Sequence, residues 1–174
     1  MREIIIDLII ILYTNNLYTN YMADTSLIEN NIGILIWKTS NFWQFNLRKI
    51  LKPYKVSINE YLVLQSITHL LSLKSKIYQN EISELIGIDI SVTSVTLKIL
   101  ERKKYISRKV LDDNRKKMVS ILKEGNDLFN EIYPLVKKEE ERIFFKLNNE
   151  TFNFTNSLKL LLGKKIRIKA EKQS

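Results

Sequence analysis

The chain has 174 residues, 45% of them apolar, which suits one hydrophobic core with extensions. Its formal net charge of +9 favours a polyanionic partner. Cysteine is absent and His69 is the only histidine, so the sequence excludes disulfides, thiol nucleophiles, thiolate metal sites and multi-histidine metal centres.

Residues 1–25 differ in character from the rest of the chain. The apolar run over residues 4–12 is interrupted by Asp7 and is shorter than the roughly 20 residues that a membrane span needs. A signal peptide would have only Arg2 as its basic region and no clear cleavage site. A third interpretation is that translation begins at Met22. We expect an accessory N-terminal extension without stable membrane insertion.

Two helices are predicted over residues 26–73. The first, residues 26–51, is apolar on more than one side, which is typical of a helix buried on more than one side, and Pro53 ends it. Ser57 and Glu60 form a capping-box pattern that opens the second helix, from residue 58 to about residue 73. His69 falls in this helix and is expected to be a surface or packing residue.

A helix–turn–helix pattern occupies residues 80–103. Gly87 closes the first helix, residues 80–86, because glycine readily takes the left-handed conformation that follows helix ends. Asp89 is placed to cap the second helix. The apolar stripe predicted for this second helix consists of Val92, Val95, Ile99 and Leu100. Its opposite face is predicted to carry Ser91, Ser94, Leu97 and Lys98, with Thr93 at the edge.

A basic hairpin follows the two helices. Residues 106–111 and 115–122 are predicted strands, joined by a turn of Asp112, Asp113 and Asn114. Residues 98–123 include ten basic and three acidic side chains. A polyanion is the expected partner, and a helix with small hydroxyl side chains on its free face suits the major groove of DNA. The alternative is a lysine-rich surface that contacts only solvent.

Two more helices are predicted beyond the hairpin. The first spans residues 123–146 and contains Pro134, which is expected to kink it. Asn148 is predicted to cap the second, residues 150–162, and Gly163 to end it. One side of this last helix is apolar, with Phe152, Leu158, Leu161 and Leu162. Residues 167–174 are expected to form a frayed basic tail.

One motif in the hairpin is specific enough to compare with a known family. Asp113, Arg115 and Val119 match the pattern Asp-x-Arg-x-x-x-Val-x-Leu-Thr, and the sequence here resembles the wing of the MarR family of winged-helix transcription regulators. Leu122 departs from the pattern and lacks the hydroxyl that would cap the next helix. Lys104 stands where the family usually has glycine, and a positive φ there costs about 1 kcal/mol. The looser resemblance extends over residues 31–166.

The resemblance implies a mainly α-helical fold with a small β-hairpin: a winged helix-turn-helix with helical dimerisation extensions. Residues 26–166 would form the domain, with residues 55–122 as its DNA-binding lobe and residues 26–52 and 123–166 as dimerisation helices. The apolar stripes of those helices could instead close the core of a monomer. The implied function is sequence-specific binding of double-stranded DNA by a cytoplasmic homodimer, a repressor acting on inverted-repeat sites.

Candidate DNA contacts lie on the second helix of the pattern and on the hairpin. The residues expected to contact base edges or phosphates in the major groove are Ser91, Thr93, Ser94 and Lys98. Arg115 resembles the family's wing arginine, which lies in the minor groove, and Asp113 is expected to be a structural partner of the wing's basic groups. Candidate phosphate contacts are Arg108, Lys109, Lys116 and Lys117.

The resemblance also implies a pocket for small aromatic or anionic effectors. Trp37, Trp43 and Tyr61 are candidate lining residues, and ordinary core packing is the alternative for all three. The alternative function is a winged-helix module that binds RNA or another protein, because this fold hosts several functions. Neither an enzyme nor a bound cofactor is expected, because no glycine-rich phosphate loop, metal-ligand cluster or nucleophile–base pair is visible.

Overall fold

A computed structural model describes residues 31–110 and 117–166. The chain divides into two compact units, residues 1–42 and residues 43–174. Several predictions fall outside the described residues: those for residues 1–25, for the turn residues Asp112, Asp113 and Asn114, for Arg115 and Lys116, and for the tail, residues 167–174.

The described elements follow the order expected of a winged helix-turn-helix. The helices are α1 (Ile32–Leu51), α2 (Ile58–Leu73), α3 (Gln79–Ile86), α4 (Ile90–Arg102), α5 (Lys123–Phe144) and α6 (Thr151–Leu161), and the strands are β1 (Ile77–Tyr78), β2 (Ile106–Val110) and β3 (Lys117–Ile121). Two 3₁₀ segments, Lys52–Tyr54 and Phe145–Glu150, follow α1 and α5. The predicted fold class is confirmed. Within these ranges, no helix combines the length and the apolar character needed to pass through a bilayer.

Helix α2 begins at the predicted capping box. The Ser57 hydroxyl accepts a hydrogen bond from the Glu60 amide at 3.2 Å, and the Glu60 carboxylate accepts one from the Ser57 amide at 2.9 Å. These two bonds satisfy backbone donors that have no partner inside the helix. The helix then buries Val63, Leu64 and Ile67 completely or almost completely. Helix α2 is therefore the central support of the second unit.

The core of the second unit surrounds α2 and joins the helices to the sheet. Its fully buried side chains include Leu47, Leu51, Leu64, Ile67, Ile77, Ile82, Leu97, Leu100 and Val119. These residues come from α1, α2, α3, α4, β1 and β3. The position of α4 is thus fixed by burial against the other elements, and not by its own helix propensity.

The sheet is antiparallel, with strand order β1–β3–β2. Ile77 pairs with Val119, and Ile106 pairs with Ile121 across the hairpin. The connector between α2 and α3 contributes the short strand β1, Ile77–Tyr78, which lies beside the wing. The sheet attaches the hairpin to the core through Ile77, Ile106 and Val119, which are all buried.

Helix α5 continues without interruption through Pro134. Asn148 was predicted to cap α6, but α6 begins after Glu150 and no side chain caps it. The reason is the intervening 3₁₀ segment, in which Asn148 has φ 43° and accepts a hydrogen bond from the Thr151 hydroxyl on its backbone carbonyl. Gly163 follows the end of α6 with φ 65°, as predicted.

Candidate nucleic-acid interface

The face of helix α4 that packs against the core is not the face that the positions of its apolar residues predict. The buried residues are Thr93, Thr96, Leu97 and Leu100. Val92 and Val95, which were predicted to be core, are exposed, and Leu97, which was predicted to be free, is buried. The prediction was wrong by a rotation of about 100°, the angle between neighbouring helix residues.

Thr93 and Thr96 are buried because their hydroxyl groups are satisfied within the helix. The Thr93 hydroxyl donates to the Asp89 carbonyl at 3.1 Å, and the Thr96 hydroxyl donates to the Val92 carbonyl at 2.8 Å. A threonine bonded in this way presents mainly its methyl group to its neighbours. Thr93 is 0% exposed. This corrects its placement among the DNA contacts, because its side chain does not reach the surface.

The free face of α4 is a stripe of Ser91, Val95, Lys98 and Arg102. These positions follow the i, i+4, i+7, i+11 spacing of one helix face, and all four side chains are exposed. Ser94 lies half-buried at the edge of this face. Sequence reasoning had selected Ser91 and Lys98 but missed Val95 and Arg102. Stepping along the helix from Ser91 at this spacing would have found both.

Asp89 caps the start of α4 as predicted. Its carboxylate accepts a hydrogen bond from the Ser91 amide at 2.7 Å and another from the Ser91 hydroxyl. These bonds, with the side-chain bond as the larger cause, hold the pKa of Asp89 below its usual value. The hydrogen bond from the Ser91 hydroxyl to the Asp89 carboxylate also fixes the orientation of that hydroxyl, which lies at the N-terminal end of the free face.

The C-terminal end of α4 is held against the start of α2 by Lys103. Its ammonium group donates to the Glu60 carboxylate at 2.5 Å and to the Lys55 carbonyl at 2.8 Å. Burial alone would raise the pKa of Glu60, but the hydrogen bonds from Lys103 and Ser57 outweigh burial and lower it. Lys103 is therefore a structural residue, although it belongs to the basic sequence run.

Lys104 has the left-handed backbone conformation that the comparison with glycine suggested, with φ 61°. Its amide donates to the Glu101 carbonyl at 3.0 Å. This hydrogen bond closes the turn that follows α4, although the residue at this position is a lysine and not a glycine. The strain of a non-glycine residue in this region is about 1 kcal/mol. Because Lys104 is exposed at the end of α4, it adds a cation to this side of the molecule.

Arg108 belongs to the inner face of the hairpin. It pairs with buried Val119 across the strands, and its guanidinium donates to the Glu101 carboxylate, with Nε at 3.0 Å from Oε2. Its side chain is only 9% exposed. The hydrogen bond from Arg108 is the largest cause that lowers the pKa of Glu101. Arg108 thus attaches the wing to α4, which corrects its assignment as a phosphate contact.

The exposed cations near the free face are Lys98, Arg102, Lys104, Lys109 and Lys117. The ion pairs between described residues involve other cations, such as Lys103 and Arg108. Lys109 and Lys117 lie near the tip of the hairpin, one on each strand. The described part of the surface therefore combines a helix with a mixed polar and apolar free face and a strand pair that carries positive charge beside it.

A cavity of about 790 Å³ lies in the second unit, away from the free face of α4. Its lining residues are Trp43, Leu62, Gln65, Ser66, Thr68, His69, Ser72, Leu85, Ile86, Phe129, Asn130 and Tyr133. The Trp43 indole donates to the Glu140 carboxylate at 3.0 Å, which fixes one wall. Apolar groups dominate the walls, and amide and hydroxyl groups are distributed among them.

Of the three predicted pocket residues, only Trp43 lines this cavity. Tyr61 is 2% exposed and stacks behind Phe129 with ring centroids 6.2 Å apart, so it supports the wall without facing the cavity. Its burial raises the pKa of its hydroxyl. Trp37 belongs to the other compact unit, where its side chain is exposed. Sequence reasoning missed Phe129 and Tyr133, which come from α5.

Comparisons with known proteins point to one fold. No protein-family model matches the sequence. An uncharacterised HTH-type transcriptional regulator of Bacillus subtilis, YdcH, is 24% identical over 131 residues, which cover 75% of this chain and 88% of that protein. A MarR-family transcriptional regulator from Rhodococcus sp. RHA1 matches with a TM-score of 0.69 at 19% identity, over 82% of this chain and 100% of that one. The MepR protein of S. aureus, solved as a DNA complex, also has a TM-score of 0.69 at 19% identity, over 78% and 96% of the two chains. The chain therefore has the winged helix-turn-helix fold of the MarR-family transcription regulators.

Proposed function

We propose that the protein is a transcription regulator that binds double-stranded DNA in a sequence-specific manner. The observation that carries this proposal is the free face of α4, where Ser91, Lys98 and Arg102 are exposed in one stripe beside the cationic hairpin. An α-helix fits the major groove, and lysine and arginine side chains bind phosphates or guanine edges. The solved complex of a protein with the same fold and DNA, MepR, supports this use of the fold.

The protein acts as a homodimer on inverted-repeat sites. Helix α6 buries none of its residues against the described part of the chain, and Leu160, Leu161 and Leu162 are 59%, 69% and 69% exposed. Adjacent exposed leucines on a terminal helix are typical of a surface that a second subunit covers. A two-fold pair of α4 helices would read two half-sites one duplex turn apart. A dimer bound there represses transcription by excluding polymerase from the same stretch of DNA.

The cavity binds an effector, and its lining favours an uncharged aromatic compound. Its volume of about 790 Å³ lies within the range of small-molecule sites. Trp43, Phe129 and Tyr133 offer aromatic contacts, while Gln65 and Asn130 offer amide hydrogen bonds. No lysine or arginine is among its described lining residues, so an anion would lose hydration there with no cationic partner other than the His69 imidazole.

A matched pair of ligands tests this effector class. Benzamide should quench the tryptophan fluorescence at lower concentration than benzoate, and Trp43→Phe should remove the difference. Equal or stronger quenching by benzoate would overturn the preference for an uncharged compound.

The DNA proposal is tested by selection of bound duplexes from a random pool, followed by affinity measurements at two salt concentrations. An inverted repeat should emerge. Lys98→Ala should weaken binding and lower the slope of log affinity against log salt by about 1, the contribution of one phosphate contact. Lys138→Ala, at an exposed position of α5, is the matched control and should leave the slope unchanged. Preference for structured RNA over every duplex would replace this function with RNA binding.

A further inference from the structure

Two β-branched apolar side chains, Val92 and Val95, are exposed at neighbouring positions on the surface of α4. Val92 is 39% and Val95 is 56% exposed, and we call these two residues the apolar patch. Val95 lies in the middle of the free face, between Ser91 and the cations Lys98 and Arg102. A helix surface exposed only to water would gain nothing from valine there, because valine has lower helix propensity than alanine, lysine or glutamate.

The charge around the apolar patch identifies its partner. Lys98 and Arg102 follow Val95 on the same face, and Lys109 and Lys117 are exposed on the hairpin. An apolar surface that binds another protein is usually depleted in such cations at its centre, whereas a DNA-reading surface combines both. The occupant that fits both the cations and the apolar side chains is the major groove of a duplex.

The chemistry of the major groove then restricts which bases the apolar patch can face. The guanine, adenine and cytosine edges present hydrogen-bonding groups there, and thymine alone adds a methyl group at C5. Valine side chains have no donor or acceptor. Covering a polar edge with them would strip it of water without replacing the hydrogen bond, whereas covering the methyl group buries two apolar surfaces.

The spacing of the apolar patch indicates neighbouring base pairs. Val92 and Val95 are three residues apart, which is about 4.5 Å along a helix axis. Successive base pairs are about 3.4 Å apart along a duplex. A helix lying along the groove therefore brings these two valines over adjacent steps.

We propose that the apolar patch reads thymine C5-methyl groups, so that each half-site contains adjacent A·T pairs opposite the N-terminal half of α4. This inference rests on the proposed binding of double-stranded DNA and adds a base class to it. Val95 is the principal specificity-determining residue, because it is the most exposed member and lies at the centre of the free face. Lys98 and Arg102 contribute affinity on the same face.

The test replaces thymine by deoxyuridine, one position at a time, in the selected operator. Deoxyuridine retains every hydrogen-bonding group of thymine and lacks only the methyl group, so it isolates the proposed contact. At two adjacent half-site positions the affinity should fall about fourfold for each methyl group removed, the factor expected for burial of one such group. Thymines outside the half-sites should be insensitive to the same replacement.

Two protein variants test whether Val95 causes the loss of affinity for deoxyuridine operators. Val95→Ala shortens an exposed helical side chain without loss of helix propensity. It should abolish the deoxyuridine effect at one of the two positions and leave the effect at the position that Val92 faces. Lys98→Ala is the matched control and should weaken both operators by the same factor. Three results would each overturn the inference while DNA binding stands: an operator without A·T pairs in its half-sites, deoxyuridine without effect, or an undiminished deoxyuridine effect at both positions in Val95→Ala. Absence of duplex binding would overturn the proposed function together with it.

Discussion

Gly125 lies in the first turn of α5, where the helix passes directly over the start of the wing. A Cβ atom added there would lie 2.1 Å from the Tyr105 carbonyl oxygen and 2.8 Å from its carbonyl carbon. Real Cβ atoms essentially never approach another heavy atom more closely than 3.0 Å. The Tyr105 carbonyl also accepts the Leu122 amide at 2.9 Å, so it cannot turn away without losing that bond.

We therefore expect Gly125→Ala to destabilise the protein. Helix α5 and the Tyr105 backbone would have to separate by roughly 1 Å, and such overpacking costs about 1–3 kcal/mol or more. Alanine recovers about 1 kcal/mol through its better helix propensity. With the upper end of that range, which suits an approach as close as 2.1 Å, the net loss is about 2 kcal/mol in the free energy of unfolding, or about 4–8 °C in the melting temperature for a chain of this length.

The assay is urea unfolding followed by circular dichroism, with Gly33→Ala as the control. Gly33 is exposed in α1, and among the described residues a Cβ atom there would meet only the Asn31 side chain, at 3.3 Å. The control should be neutral, or more stable by up to about 1 kcal/mol. A Gly125→Ala protein that unfolds at the same or a higher urea concentration than the unchanged chain would refute the reasoning about this contact.

Three other changes test single features of the interface. Lys104→Gly should raise the free energy of unfolding by about 1 kcal/mol, because glycine adopts the positive φ without strain; a lower unfolding midpoint would contradict this. Thr93→Val should leave DNA affinity unchanged and alter stability by less than about 1 kcal/mol, since it removes only one hydrogen bond to a carbonyl that already accepts the Thr93 amide. Glu60→Gln should destabilise the protein at pH 7, and the difference from the unchanged chain should shrink as the pH falls below the ordinary glutamate value of 4.5, because the lowered pKa of Glu60 adds stability only while the carboxylate is ionised. A difference that is constant between pH 7 and pH 3 would show that the Glu60 charge is not involved.

The features that sequence reasoning predicted correctly are governed by local backbone chemistry. The Ser57–Glu60 capping box, the Asp89 cap and the left-handed Gly87 all depend on residues within a few positions of each other. Each of them satisfies backbone groups at a helix end, so few other arrangements are available. For the same reason the order of helices and strands could be predicted from α2 to α6.

The errors concern which side of an element faces the core. Valine is more apolar than threonine, so pattern analysis placed Val92 and Val95 inside and Thr93 outside. The structure reverses this because each threonine hydroxyl bonds to its own helix backbone, which makes threonine acceptable in the core. Arg108 was misassigned because its partner, Glu101, lies on a different element, and sequence spacing does not reveal such a pair.

The double attachment of Lys103 to Glu60 and to the Lys55 carbonyl has a mechanical consequence. It ties the C-terminal end of α4 to the beginning of α2, so a rotation of α4 about its own axis would strain both bonds. In the proposed dimer, this attachment opposes rotation of each α4 within its own subunit. A change in the distance between the two α4 helices would leave both bonds intact and would alter the operator length that the pair can span.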